Sequence, residues 1–340
     1  MIVGHGNNIY QFGDSRIEVD FSSNIAFNNH SAEIYEHLRE GIEAIGDYPD
    51  PEAKSLTNLI AQDLSLPTDQ ILVTNGSAEA FYLLAHLLMR RKLIDTAITT
   101  PSFSEYEDSC TLYSHKVSYI ALNELLTTDL TNFTSVWFGS PNNPDGYRIT
   151  VDEIDQLATK YPTCYFVVDR AYNDLSQDKE YDKEPHENVI IINSFTKSYG
   201  IPGLRLGYLV AHPYIISELS NMRPPWSVNS LSLIAGEYIL ANRDRLQPSI
   251  VDLIEESQNL QDQIANIDGF SVLKSRCNFF LVELTNGKTA SQLQEYLVKE
   301  HRLLIRNASN FHGLTPQHIR IATQNHTQNR KLIEALQKWR

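Results

Sequence analysis

Positive charge is in short supply in this chain of 340 residues: 28 lysines and arginines stand against 42 aspartates and glutamates, a formal net charge of −14. Nucleic acid and anionic membrane surfaces call for the opposite balance, so neither is expected as a partner. Cysteine is scarce as well. Cys110, Cys164 and Cys277 are widely spaced and odd in number, which leaves neither a disulfide framework nor a metal-ligand pattern. Cys164, beside a strand-like run, reads as a small core residue. No apolar stretch approaches the ~18 residues needed to span a bilayer. Met1-Ile-Val-Gly-His5 has no basic segment leading into an apolar one, so no secretory signal is expected. No Gly-x-Gly-x-x-Gly follows a strand-like run, and Gly4-x-Gly6 sits at the extreme start, which sets aside a nicotinamide-dependent dehydrogenase. Internal repeats and low-complexity linkers are absent too. What is left is a cytoplasmic globular protein, long enough for two modest domains.

Between about residue 50 and residue 210 the chain alternates short apolar runs with helix-period segments. Ile71–Val73, Thr96–Thr99, Lys116–Ile120, Val136–Gly139, Cys164–Asp169, Val189–Asn193 and Leu206–Val210 are the expected strands. Glu79–Met89, Tyr106–Tyr113 and Val151–Tyr161 are expected helices between them. Strands apolar on both faces and separated by helices predict a mainly parallel sheet covered on both sides. Beyond it the pattern changes to an α+β module: one long helix over Leu246–Ile267, strands at Phe270–Leu273 and Phe279–Glu283, and a helix over Ala290–Glu300. Strands at Leu303–Arg306 and Ile319–Ala322 and a closing helix over Gln328–Lys338 complete it.

Ligands of parallel sheets collect at the carboxyl ends of the strands, and the chemically pointed residues fall there. Ser194-Phe-Thr-Lys-Ser-Tyr-Gly-Ile-Pro-Gly-Leu-Arg-Leu-Gly-Tyr208 sets Lys197 between hydroxyl residues and a glycine-bracketed arginine. That suits a lysine joined covalently to an aldehyde cofactor whose phosphate is held by its neighbours; a lone loop lysine would be only a solvated charge. Asp169 ends an apolar run and is followed by Tyr172; Pro141-Asn-Asn-Pro144 follows another; Thr74-Asn-Gly-Ser77 lies between a strand and a helix. Taken singly, an Asp after a strand is often a helix N-cap, and Asn-Gly-Ser or Pro-Asn-Asn-Pro is an ordinary turn. It is their occurrence together and in this order that carries weight.

With these motifs the chain resembles pyridoxal-phosphate (PLP) enzymes of the aspartate aminotransferase fold, nearly end to end. Within that fold it resembles the group of histidinol-phosphate aminotransferases and threonine-phosphate decarboxylases. His5-Gly-Asn-Asn8, Asp20-Phe-Ser-Ser-Asn-Ile25, Pro225-Trp-Ser-Val-Asn229 and Leu304-Ile-Arg-Asn-Ala-Ser-Asn310 are closer to the decarboxylases. The resemblance implies an α/β fold with a mainly parallel seven-stranded sheet in a large domain (31–235), a smaller α+β C-terminal domain (236–340) and an N-terminal arm (1–30) packed on the latter. It also implies a homodimer with shared active sites. Lys197 would be the covalent lysine, and Asp169 would keep the ring nitrogen protonated. Tyr172 and Asn143 would hydrogen-bond the ring oxygen, and Phe103 would stack on the ring. Gly76, Ser77, Ala78, Ser194 and Arg205 would hold the phosphate, with Tyr48 reaching the phosphate of the neighbouring subunit.

For the substrate, the resemblance implies that Arg320 takes an α-carboxylate, that Arg306 takes a distal phosphate, and that His5 and Asn24 close over it. The implied activity is decarboxylation of O-phospho-threonine, in building the cobalamin side loop. A histidinol-phosphate type of aminotransferase is the alternative. A non-catalytic regulatory protein on the same fold would be expected to lack Lys197 or Asp169, and both are present. The chain departs from the family pattern at Asp145 (usually Thr), Arg170 (usually acidic), Ala78 (usually acidic or hydroxyl) and Asn28-Asn29 (usually a Pro-Leu-Gly kind of turn), none of which removes a catalytic group.

Overall fold

Alternate residues of the apolar runs face opposite ways along a strand, and here both directions are filled. Val136, Phe138, Phe166, Val168, Val189 and Ile191 enter one core, while Trp137, Val167, Ile190 and Ile192 enter another. A strand with two buried faces therefore reads as a continuous apolar run. The computed structural model describes residue 12 and residues 16–178 and 184–339. In chain order these form β1 (Val19–Asp20), α1 (Ser31–Glu40), α2 (Lys54–Leu64), β2 (Ile71–Thr74), α3 (Gly76–Arg90), β3 (Asp95–Thr100), α4 (Ser104–Leu112) and β4 (Lys116–Ala121). Then come β5 (Ser135–Gly139), α5 (Val151–Lys160), β6 (Tyr165–Asp169), β7 (Val189–Ser194), β8 (Gly207–Val210), α6 (Pro213–Met222), α7 (Ser230–Ala241) and α8 (Arg243–Leu246). The remainder is α9 (Ile250–Ala265), β9 (Phe270–Leu273), β10 (Phe279–Leu284), α10 (Ala290–Tyr296), β11 (Leu303–Leu304), β12 (Arg306–Asn307), β13 (His318–Ala322) and α11 (His326–Lys338).

Seven strands make the large sheet, in the order β2-β8-β7-β6-β5-β3-β4. The pairings of β4, β3, β5, β6 and β7 are parallel, and β8 runs antiparallel to both β7 and β2. The reversal has a functional result. The loop from Ser194 to Gly207 turns back at the carboxyl edge, so Gly207 is paired with Ser194 on one side and Thr74 on the other. The loop carrying Lys197 thereby returns to the start of α3.

A smaller antiparallel sheet, β12-β13-β10-β9, packs on α9, α10 and α11 around its own apolar core. The N-terminal segment crosses between the two sheets. β1 pairs in parallel with β11, and Phe21 donates its N–H to Leu304 O at 2.7 Å while its carbonyl accepts from Ala322 at 2.8 Å. A few residues on, Ala26 donates its N–H to the carbonyl of Lys197 at 3.1 Å.

The expected helix over Leu246–Ile267 is two helices. Pro248 has no N–H to continue α8, and Ser249 caps α9 by accepting from Asp252 N–H at 3.4 Å. The expected strand at Leu303–Arg306 is likewise two: β11 serves β1 and β12 serves β13, with Ile305 changing partner between them. The expected helix Ala290–Glu300 widens after Tyr296 into a π turn, Leu297–His301. The division at 235/236 falls inside α7, and Ile239 and Leu246 pack into a core of the large sheet. Among the described residues no helix is long and apolar enough to cross a membrane.

Candidate active site

At the carboxyl edge of the large sheet a cavity of about 380 Å³ is lined by Asn24, Ser77, Ala78, Phe103, Asn143, Asp169, Tyr172, Ser194, Lys197, Arg205 and Arg320, together with neighbours including Ser22 and Thr196. Gly76 lies immediately behind it and Arg306 lines an adjoining cavity of about 140 Å³ that shares Phe103, Asn143 and Arg320. Tyr48 is elsewhere, 84% exposed and packed on Trp226 with ring centroids 5.0 Å apart. His5 lies outside the described residues. A further cavity of about 410 Å³, lined by residues such as Asp63, Asp174 and Arg243, shares Ala171 and Ser194 with the first but holds neither Lys197 nor Asp169.

One end of the main cavity is an anion cradle. The start of α3 presents backbone N–H groups with no partner in the helix, together with the positive end of its dipole. Gly76 has φ +74°, and a Cβ there would stand 2.5 Å from Arg205 Nη2, so the guanidinium lies close against the turn. Gly207 is as constrained: a Cβ would lie 2.8 Å from Ser77 N and 2.8 Å from Asn193 O. Arg205 donates to Pro202 O at 3.1 Å, leaving the rest of its fork for a ligand. Ser194 Oγ and Thr196 Oγ1 share a hydrogen bond of 2.8 Å at the same rim.

Across the cavity, the carboxyl of Asp169 accepts from Tyr106 Oη at 2.7 Å and from the N–H of Ala171 at 2.9 Å. Burial pushes it above the usual carboxylate range; the Tyr106 and Ala171 hydrogen bonds and the charge of Lys197 pull the other way. A cationic ring nitrogen beside it would complete the balance. Tyr172 is buried edge-on to Phe279, and Asn143 is held by Arg320, whose Nη1 donates to Asn143 Oδ1 at 2.5 Å. The amide of Asn24 lies beside Tyr172 but makes no hydrogen bond of normal geometry, although it is buried.

Burial, and then the charges of Arg320 and Arg205, pull the Lys197 ammonium down from 10.5 to about 8. This gives a pH dependence with a definite sign. The folded apoprotein binds fewer protons than the unfolded chain between about pH 8 and 10.5, so this group adds stability as pH rises through that window and withdraws it as pH falls through 8. Thermal melts of apoprotein across the window should show the rise, and Lys197→Met should flatten it. Capture of the aldehyde by apoprotein, which needs the free amine, should accelerate with a midpoint near pH 8.

Where the two cavities meet stands a pair of arginines. Arg306 and Arg320 stand in register on β12 and β13 and are buried. Among the described residues neither has a carboxylate at ion-pair distance. Arg320 Nη2 donates to Ser22 O at 2.5 Å and its Nε has no partner. Arg306 donates to Asn307 O and, at 2.6 Å, to Asn310 Oδ1. Arg320 feels the charge of Asp20 at longer range, but two buried guanidinium groups with no carboxylate in direct contact are costly without anions to meet them.

Sequence reasoning missed Tyr106, Thr196, Asn310 and the Ser22 carbonyl. Asn310 sits in a stretch that was noted without a role; nothing local distinguishes Tyr106 from a core aromatic. Two of the departures have visible structural roles. Asp145 accepts from Asn142 Nδ2 at 2.8 Å and from Tyr147 N–H at 3.0 Å, shaping the turn that presents Asn143. Asn29 packs against Gly200, which has φ +65°.

These residues fit PLP: an amine of lowered basicity, an anion cradle that a side chain on Gly76 would fill, a buried carboxylate and an unpartnered amide. The sequence profile of the family "Aminotransferase class I and II" matches residues 17–336. The L-threonine-O-3-phosphate decarboxylase structure from Porphyromonas gingivalis is 34% identical, with a TM-score of 0.89 over 94% of this chain and 98% of that one. The histidinol-phosphate aminotransferase structure from Clostridium acetobutylicum is 26% identical, with a TM-score of 0.84 over 94% and 98% of the two chains. The adenosylcobalamin biosynthesis bifunctional protein CobDQ of Leptospira interrogans is 27% identical over 97% of this chain, which spans only 40% of that protein. The chain belongs to the class I and II aminotransferase family, whose enzymes carry pyridoxal 5'-phosphate.

Proposed function

We propose that this enzyme decarboxylates a phosphorylated amino acid, L-threonine-O-3-phosphate, to an aminopropanol phosphate used in building the cobalamin side loop in the cytoplasm. The observation that carries the reading is the pairing of Arg306 with Arg320, buried and without carboxylate partners. A substrate bearing a carboxylate and a phosphate a few bonds apart meets both. The likeness to the P. gingivalis decarboxylase supports the choice of reaction.

When bound, PLP supplies an electron sink that weakens whichever α-carbon bond stands perpendicular to its ring. The protein's share is placement. Lys197 would hold the aldehyde and serve to move a proton at the α-carbon; Asp169 would hold the proton on the ring nitrogen; Tyr172 and Asn143 would bind the ring oxygen, and Phe103 would cover the ring. Gly76, Ser77, Ala78, Ser194 and Arg205 hold the cofactor phosphate. Arg320 anchors the α-carboxylate, Arg306 the distal phosphate, and Asn24 closes over them. Those two anchors set the angle of the scissile bond. Tyr48, exposed beside Trp226, would reach the phosphate in a second copy of the chain, so the working form is a homodimer.

Holoenzyme given O-phospho-L-threonine without any keto acid should release carbon dioxide and aminopropanol phosphate. The likeness to the C. acetobutylicum aminotransferase supports the other outcome. Glutamate formed from histidinol phosphate and 2-oxoglutarate, with no carbon dioxide from phosphothreonine, would make it an aminotransferase.

A further inference from the structure

Tyr106 is almost wholly buried and has no counterpart in the roles above. Its hydroxyl donates to Asp169 Oδ2 at 2.7 Å, across 63 residues of sequence. Its ring lies edge-on to Phe81 (centroids 5.0 Å apart, planes at 69°) and to Phe103 (5.9 Å, 86°). These contacts fix the ring, and burial together with the Asp169 charge holds its phenol well above the ordinary range, so it remains a donor. Phe103 and Tyr106 bracket the first turn of α4. One turn of helix thus presents an aromatic ring to the cavity and a hydroxyl to the carboxylate.

The groups facing the Asp169 carboxylate are Tyr106 from α4, the N–H of Ala171 from its own loop, and Lys197 from the loop after β7; Tyr172 adds its field to Tyr106. Among the described residues only Tyr106 and Ala171 donate hydrogen bonds to it, one to each oxygen. A buried carboxylate deprived of a donor takes up a proton or turns away.

We propose that Tyr106 is a positioning residue that clamps Asp169 as an ionised, oriented acceptor for the cofactor's ring nitrogen. The inference rests on the cofactor and not on which bond is broken, so it stands or falls separately from the decarboxylase reading.

Tyr106→Phe removes one oxygen and keeps the ring. Apo wild type and variant are titrated, following visible absorbance, with PLP and with 1-deazapyridoxal 5'-phosphate, which has carbon in place of the ring nitrogen. The variant should bind PLP about tenfold more weakly, the size of one lost charge-assisted hydrogen bond, and the deaza analogue within about twofold of wild type. Equal weakening for both cofactors means a packing role and overturns the proposal, as does unchanged PLP affinity. If Tyr106→Phe fails to fold because the carboxylate is left short of a donor, Asp169→Asn relieves that charge. The double variant must then match Asp169→Asn alone; a further tenfold loss of PLP affinity in that background overturns the assignment.

Discussion

Lys197→Ala should reduce turnover by about 10⁴-fold or more and abolish the visible band of the cofactor joined covalently to the protein. Among the described residues no other lysine lines the cavity, and the amine is already pulled down to about 8, so about a tenth of it is the free nucleophile at pH 7, far more than an ordinary lysine offers. The phosphate cradle does not use this side chain: Ser77, Ser194 and Arg205 stay in place, so the variant should still hold PLP weakly and without a covalent bond. Absorbance spectra and peptide mass spectrometry after borohydride reduction check both statements. An adduct on any other lysine would remove the assignment.

Arg306→Met is the second large effect, and it has opposite signs for activity and for stability. Catalytic efficiency toward the phosphorylated substrate should fall about 10³-fold, because one partner of a buried charged contact is lost. The apoprotein should melt no lower than wild type and, by the same reasoning, somewhat higher. In wild type, burial and the facing charge of Arg320 pull Arg306 down to about 9, so it is still protonated at neutral pH and stands against a like charge in register. Methionine keeps much of the volume and removes that repulsion. Inorganic phosphate supplies the control when the cofactor cradle is already filled: it should raise the melting temperature of PLP-loaded wild type but not of the PLP-loaded variant. A variant that melts lower and keeps its response to phosphate would mean that Arg306 is a structural residue.

Much of the lining of the main cavity was legible in the sequence because it falls in short local motifs. A phosphate cradle needs a glycine turn at a helix start, and Gly76-Ser77 shows it within a few residues. A lysine, a serine and an arginine on one loop show in a single stretch. Residues whose partners lie far off in sequence were not readable. Tyr106 looks like any core tyrosine until Asp169 is brought beside it, and the Ser22 carbonyl matters only because β13 aims Arg320 at it. The two merged elements had different causes. Pro248 followed by Ser249 was a visible stop and restart within the helix expected over Leu246–Ile267. The split at Ile305 was invisible, because it reflects a change of pairing partner from β1 to β13.

Asn24 belongs to a segment sewn to β11 at one end and to the backbone of Lys197 at the other. Leu303 and Leu304 lie far downstream of Lys197 in the chain, so this wall of the cavity has nothing to pair with until they have been made. A nascent chain that has not reached Leu303 would have a complete lysine loop and no wall to close beside it.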